Sequence, residues 1–140
     1  MSYYRLSLPS KLEEISRLRH CLGAVARIEG YSDAFIAEFE LSVHEAFVNA
    51  VRHGNCDNSE LPVTMTLETG AVAGDRFVEV RIRDCGEGFK PERTIDAICS
   101  ARRGVTPGGR GLVLVHHYVK SFRIESEEGG CVVVLRYIPY

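Results

Sequence analysis

The sequence predicts an α+β fold, a two-layer α/β sandwich with helices packed on one face of a mixed, mainly antiparallel sheet. Three observations carry that expectation. A long stretch from about residue 33 to 53 repeats apolar residues at helical spacing. The run RFVEVRIRD at 76–84 alternates apolar and polar residues with period two, as a strand with one covered face does. Near the end of the chain, the runs SFRIES and CVVVLRYI flank the short turn sequence EEGG, the pattern of a hairpin.

Each element follows in order. Tyr3 to Leu8 reads as a first strand. Ser10 and Glu13 form a capping-box pattern that opens a helix to about Glu29, and Gly30 suits its C-terminal stop. Ser32 or Asp33 starts the second helix, which stops near Gly54. Strands follow at about 62–69 and 76–84, joined by a turn through Gly70 and Gly74. A weaker helix lies near 92–100. The Arg/Gly-rich stretch 101–110 has no hydrophobic periodicity. A helix at 111–120 and strands at 121–127 and 131–138 complete the chain, with Glu127 to Gly130 as the hairpin turn. There is no internal repeat, low-complexity tract or linker, so residues 1–140 read as a single domain.

The second helix carries the first chemical signal. Steps of four residues drift only about 40° around the axis, so Glu38, Ser42, Glu45, Asn49 and His53 form one polar stripe. The opposite side carries Ile36, Phe39, Val43, Ala46, Phe47 and Ala50, and Leu41, Val48 and Val51 widen the apolar cover. A helix so broadly apolar is expected to be buried, which turns its polar stripe towards a pocket. A single polar pair at this spacing more often means a wet face.

Two glycine motifs follow. Asp84-Cys85-Gly86-Glu87-Gly88 directly follows a strand, and strand ends are where open sheets with helices often bind ligands. Its glycines permit positive φ and close approach of backbone to a ligand. The bland reading is a tight turn whose Asp caps backbone groups. Pro107-Gly108-Gly109-Arg110-Gly111 runs straight into Leu112 and a helical stretch, so free helix amides can meet a phosphate there. Neither the lysine-containing P-loop nor the G-x-G-x-x-G dinucleotide pattern is present.

In order, E-x-x-x-N-A-x-x-H, D-x-G-x-G and G-x-G-L before a helix resemble the N, G1 and G2 boxes of the Bergerat ATPase superfamily. Gyrase, heat-shock-protein-90, MutL and histidine-kinase ATP-binding domains belong to that superfamily. The spacing and the sequence HEAFVNAVRHGN are most similar to its anti-sigma-factor serine/threonine kinase branch, over roughly residues 1–138. The resemblance implies ATP and Mg²⁺ as cofactors. It implies Glu45 as general base for the substrate hydroxyl, or as the residue orienting a Mg²⁺-bound water. Asn49 would be the metal ligand, through its amide oxygen, and His53 would have a supporting part in the pocket. Asp84 would accept the adenine amino group, with Gly86 and Gly88 leaving room for base and ribose. Gly109, Arg110, Gly111 and Leu112 would meet the phosphates, under a lid at 101–110 whose Arg102 and Arg103 counter charge. The implied partners are an anti-sigma factor antagonist phosphorylated on Ser or Thr, a sigma factor, and a second copy of the chain contacted through Tyr3 to Leu22.

The sequence departs from the branch in two places. Where many relatives carry a Thr that supports the adenine-binding Asp, this chain has Cys131, a weak donor. Where an Arg commonly precedes the second glycine box, it has Pro107 and Gly108. Two other readings therefore stand beside a kinase: a regulatory module that binds ATP without phosphorylating anything, and a detached histidine-kinase catalytic domain. A net charge of −2 gives no basic footprint for nucleic acid. Five scattered cysteines, at 21, 56, 85, 99 and 131, form no C-x-x-C pair and read as reduced thiols. With no signal-peptide core and no membrane-length apolar run, a cytoplasmic protein with no membrane contact is expected.

Overall fold

A computed structural model describes residues 1–85, 119–127 and 129–140. Five strands form one sheet: β1 (Ser2–Pro9), β2 (Pro62–Val72), β3 (Asp75–Asp84), β4 (Ser121–Glu127) and β5 (Gly130–Tyr137). Their spatial order is β1-β2-β3-β5-β4, and all neighbouring pairs run antiparallel. The expected parallel component is thus absent among the described strands. Helices α1 (Ile15–Ile28) and α2 (Asp33–Asn49) pack on one face.

Strand alternation decides that face. Val63, Met65 and Leu67 of β2, Val78, Val80 and Ile82 of β3, and Val133, Leu135 and Tyr137 of β5 point into one core. Leu18, Leu22 and Ala26 of α1 meet them, with Phe35, Phe39, Val43 and Phe47 of α2. Phe39 stands edge-on to Tyr137, with ring centroids 5.1 Å apart. The Tyr137 hydroxyl bonds Ser42 Oγ at 2.6 Å, so this member of the polar stripe serves the core and not a pocket. Leu41, expected to extend the apolar cover, is exposed.

The other face of the sheet carries charge. Glu79 lies at its centre, paired with Arg136 at 3.0 Å, and Arg81 pairs with Glu125 at 2.6 Å. Val134 sits between Arg81 and Arg123 in register and is 1% exposed, although neither α1 nor α2 lies on that face. Long arginine stems can shield apolar surface while their heads stay wet.

The connections correct some of the sequence expectations. Ser10 does not cap α1; its hydroxyl donates to the Leu61 carbonyl at 2.6 Å. A 3-10 turn, Leu12–Glu14, leads into the helix instead, with no side-chain cap among the described residues. Gly30 does end α1: it sits at φ +79°, with Tyr31 N–H bonded to Ala26 O and Gly30 N–H to Arg27 O. Ser32 caps α2, accepting from the Phe35 N–H at 3.2 Å. The β2–β3 turn is Ala73-Gly74, both at positive φ, a two-residue hairpin connection that leaves Gly70 inside β2. The expected β4–β5 hairpin is present, with Gly129 at φ +75°. The helices expected at 92–100 and 111–120 lie outside the described residues, apart from Val119 and Lys120, which are not helical.

Candidate functional site

The site begins where α2 ends. The helix carries Glu45 and Asn49 to its last turn, then widens into a π-helical turn, Ala50–Gly54. The Asn55 N–H reaches the Ala50 carbonyl at 2.8 Å, five residues back, and closes that turn. Single π turns inside helices are frequent at functional sites because they re-aim side chains. His53 lies in this turn and is exposed. Glu45 is partly exposed. Asn49 is 4% exposed, and its Nδ2 has no hydrogen-bond partner among the described residues. A buried amide with spare capacity costs free energy unless something completes its contacts.

The second half of the site is the end of β3. Asp84 is 1% exposed and lies opposite Cys131 of β5 in register. Two glycines make room for it. A Cβ on Gly54 would collide with the Asp84 carboxylate, and one on Gly130 would collide with the Asp84 carbonyl oxygen. Residues 54 and 84 are distant in sequence, and this direct packing joins the end of the helix motif to the end of the strand motif. The sequence reading gave Gly54 the task of stopping a helix and Gly130 that of turning a hairpin. Their closer task is steric, and no local pattern reveals it.

Asn55 is a site residue the sequence reading missed. It is 2% exposed, and its side chain bonds Ser10, Pro62 and the Cys85 backbone N–H. The only signal was its place directly after His53-Gly54. Cys131, expected to weaken support for Asp84, is fully buried. Gly86, Gly88, Gly109, Arg110, Gly111 and Leu112 lie outside the described residues, as do Arg102, Arg103, Pro107 and Gly108. Among the described residues no three His, Cys, Asp or Glu side chains cluster to hold a metal ion. A single Asn oxygen suits Mg²⁺ that arrives with nucleotide phosphates, since Mg²⁺ takes few protein ligands and keeps its waters.

A buried acid at the end of β3 thus abuts a helix terminus that carries a buried Asn and a partly exposed Glu, on an α+β sandwich. The chain belongs to the histidine kinase-like ATPase domain family, whose pattern matches residues 8–137. Similar proteins include the serine-protein kinase RsbW of Bacillus velezensis, 26% identical over 150 residues that cover 99% of this chain and 87% of the relative. The serine-protein kinase RsbW of Listeria monocytogenes is 29% identical over 140 residues, covering 95% of this chain and 85% of the relative. Among solved structures, the RsbU and RsbW domains of Rv1364c from Mycobacterium tuberculosis share the fold, with TM-score 0.63 and 19% identity. That match covers 99% of this chain and 33% of the other.

Proposed function

We propose that this protein is an anti-sigma-factor-type serine/threonine kinase, which transfers the γ-phosphoryl of Mg-ATP to a Ser or Thr of an anti-sigma factor antagonist. The observation that carries the reading is the pairing of accessible Glu45 with buried Asn49, one turn apart, on a helix end that packs through Gly54 against Asp84. The near full-length likeness to serine-protein kinases supports it.

ATP supplies the phosphoryl group, and Mg²⁺ offsets the phosphate charge. The Asn49 amide oxygen would hold the Mg²⁺ ion, and the amide is buried at the helix end. Asp84 accepts the exocyclic amino group of adenine, which guanine lacks at that position. Glu45 accepts the proton of the incoming hydroxyl as its oxygen bonds to the γ-phosphorus and the bond to the bridging oxygen of ADP breaks. His53 and the glycine-box residues Gly86, Gly88, Gly109, Arg110, Gly111 and Leu112 complete the nucleotide contacts. Sequestration of a sigma factor, and a homodimer built on the β1 edge, belong to the same reading. So does a cytoplasmic location without nucleic-acid contact. No described helix is long and apolar enough to cross a membrane.

Transfer of radiolabel from γ-labelled ATP to a candidate antagonist tests the proposal. Glu45→Ala should keep Mg-ATP binding and lose roughly 10²–10⁴-fold in transfer rate. Transfer by Glu45→Ala at the wild-type rate would remove the general-base role. ATP binding with no transfer to any antagonist would leave a regulatory binding module.

A further inference from the structure

Asn55 stands apart from the residues used in phosphoryl transfer, yet its whole amide is committed. Oδ1 accepts the Cys85 backbone N–H at 2.7 Å. Nδ2 donates to Ser10 Oγ at 2.7 Å and to the Pro62 carbonyl at 3.1 Å. Ser10 passes the chain of bonds on to the Leu61 carbonyl at 2.6 Å. One buried side chain thus ties the turn after α2 to the end of β1, the start of β2 and the first residue beyond Asp84.

The bond to Cys85 has a specific consequence. The peptide unit joining Asp84 to Cys85 is planar and turns as one body. Its carbonyl oxygen sits against Gly130, and its N–H is held by Asn55. Held at its N–H and closely packed at its carbonyl, the plane has little room to rotate about ψ of Asp84. Gly54, the residue just before Asn55, packs on the Asp84 carboxylate itself. Two consecutive residues therefore hold both the side chain and the outgoing peptide of the same aspartate. A merely space-filling Asn would not need its acceptor directed at that amide.

We infer that Asn55 is a positioning residue for adenine recognition, which orients Asp84 by clamping the Cys85 amide. The inference rests on the ATP-binding reading above. It has a graded test, because the acceptor and donor halves of the amide do different work. Asn55→Asp keeps an acceptor for the Cys85 N–H and loses the donors to Ser10 and Pro62. Asn55→Ala loses both, and Ser10→Ala removes only a distal link.

Calorimetric ATP titrations of the full chain, at a temperature where each variant is folded, give the affinities. Hydrogen exchange of the Cys85 amide reports the clamp directly. Asn55→Ala should bind ATP about tenfold more weakly and exchange faster at Cys85. Asn55→Asp and Ser10→Ala should be less stable than wild type, yet bind ATP within about threefold of it. Wild-type affinity in Asn55→Ala would overturn the inference, and so would equal losses in Asn55→Ala and Asn55→Asp. If Asn55→Ala does not fold, the other two variants decide: retained affinity supports the clamp, and lost affinity overturns it. If the wild type binds no ATP, the functional reading fails separately and adenine positioning falls with it. Cys85 exchange then shows whether the clamp itself exists.

Discussion

Asp84, Gly54 and Asn49 show how single residues set the character of the site. Asp84 is an acid nearly out of reach of water, and a glycine on each neighbouring element leaves room for it. Asp84→Asn keeps the shape while removing the carboxylate, and should weaken ATP binding by about 1.5–3 kcal/mol without unfolding the chain. Equal affinities by calorimetry would take Asp84 out of the site. Gly54→Ala puts a methyl group into space already occupied by the Asp84 side chain, Cβ included, so the strand end or the turn must move. It should cost about 1–3 kcal/mol of stability in denaturant unfolding and lower ATP affinity as well. An alanine variant as stable as wild type would show that the turn yields freely. Asn49→Ala should weaken only the Mg²⁺-dependent part of nucleotide binding, which titrations with and without Mg²⁺ separate.

Among the elements, the junction of β1 with the end of α1 gives a pH-dependent contribution. The Tyr4 hydroxyl donates to Glu29 Oε1 at 2.6 Å. That bond holds the Glu29 carboxyl below its ordinary value of 4.5 and raises the Tyr4 phenol above 10.0. For Glu29 the stabilisation is fully present above its unfolded value and is lost as pH falls through the depressed folded value. For Tyr4 it is fully present below its unfolded value and is lost as pH rises through the raised folded one. Tyr4→Phe should therefore cost about 1 kcal/mol near neutrality and less at about pH 3. Urea unfolding at the two pH values measures it. An equal cost at both would mean that the bond does not carry the linkage. The π turn after α2 is the other element with a consequence, since it directs the chain so that Gly54 and Asn55 face the end of β3.

For the molecule as a whole, the sheet order places β1 at an edge, with Tyr3 and the nearby Ile28 of α1 exposed. Leu8, Leu18 and Leu22, within the Tyr3 to Leu22 stretch expected at the contact, are all buried within the chain. A contact through this region would fall to Tyr3, Arg5 and the groove between β1 and α1, lined by Tyr4, Leu6, Cys21, Val25 and Ile28. An uncovered edge strand invites pairing, and a two-fold contact closes it. Light scattering at micromolar concentration should give about twice the chain mass of 15.6 kDa. A single-chain mass with and without ATP would rule out the homodimer and leave that edge to a different protein.

Much of this was legible in one dimension. Alternation gave the strands, helical spacing gave α2, and Gly30, Ser32 and the final hairpin marked real boundaries, because each depends on neighbours a few residues away. The order of three short motifs was enough to indicate the family. What the sequence could not show are contacts between positions far apart in the chain: Gly54 against Asp84, Asn55 on Cys85, Ser42 bonded to Tyr137, and Ser10 drawn away from a helix cap to a distant loop. The period of a segment says which face is apolar, but not which polar residue on the other face meets solvent, core or ligand. That was decided by the packing of α2 and its π turn onto β3, where burial makes each polar atom find a partner or keep a place for one.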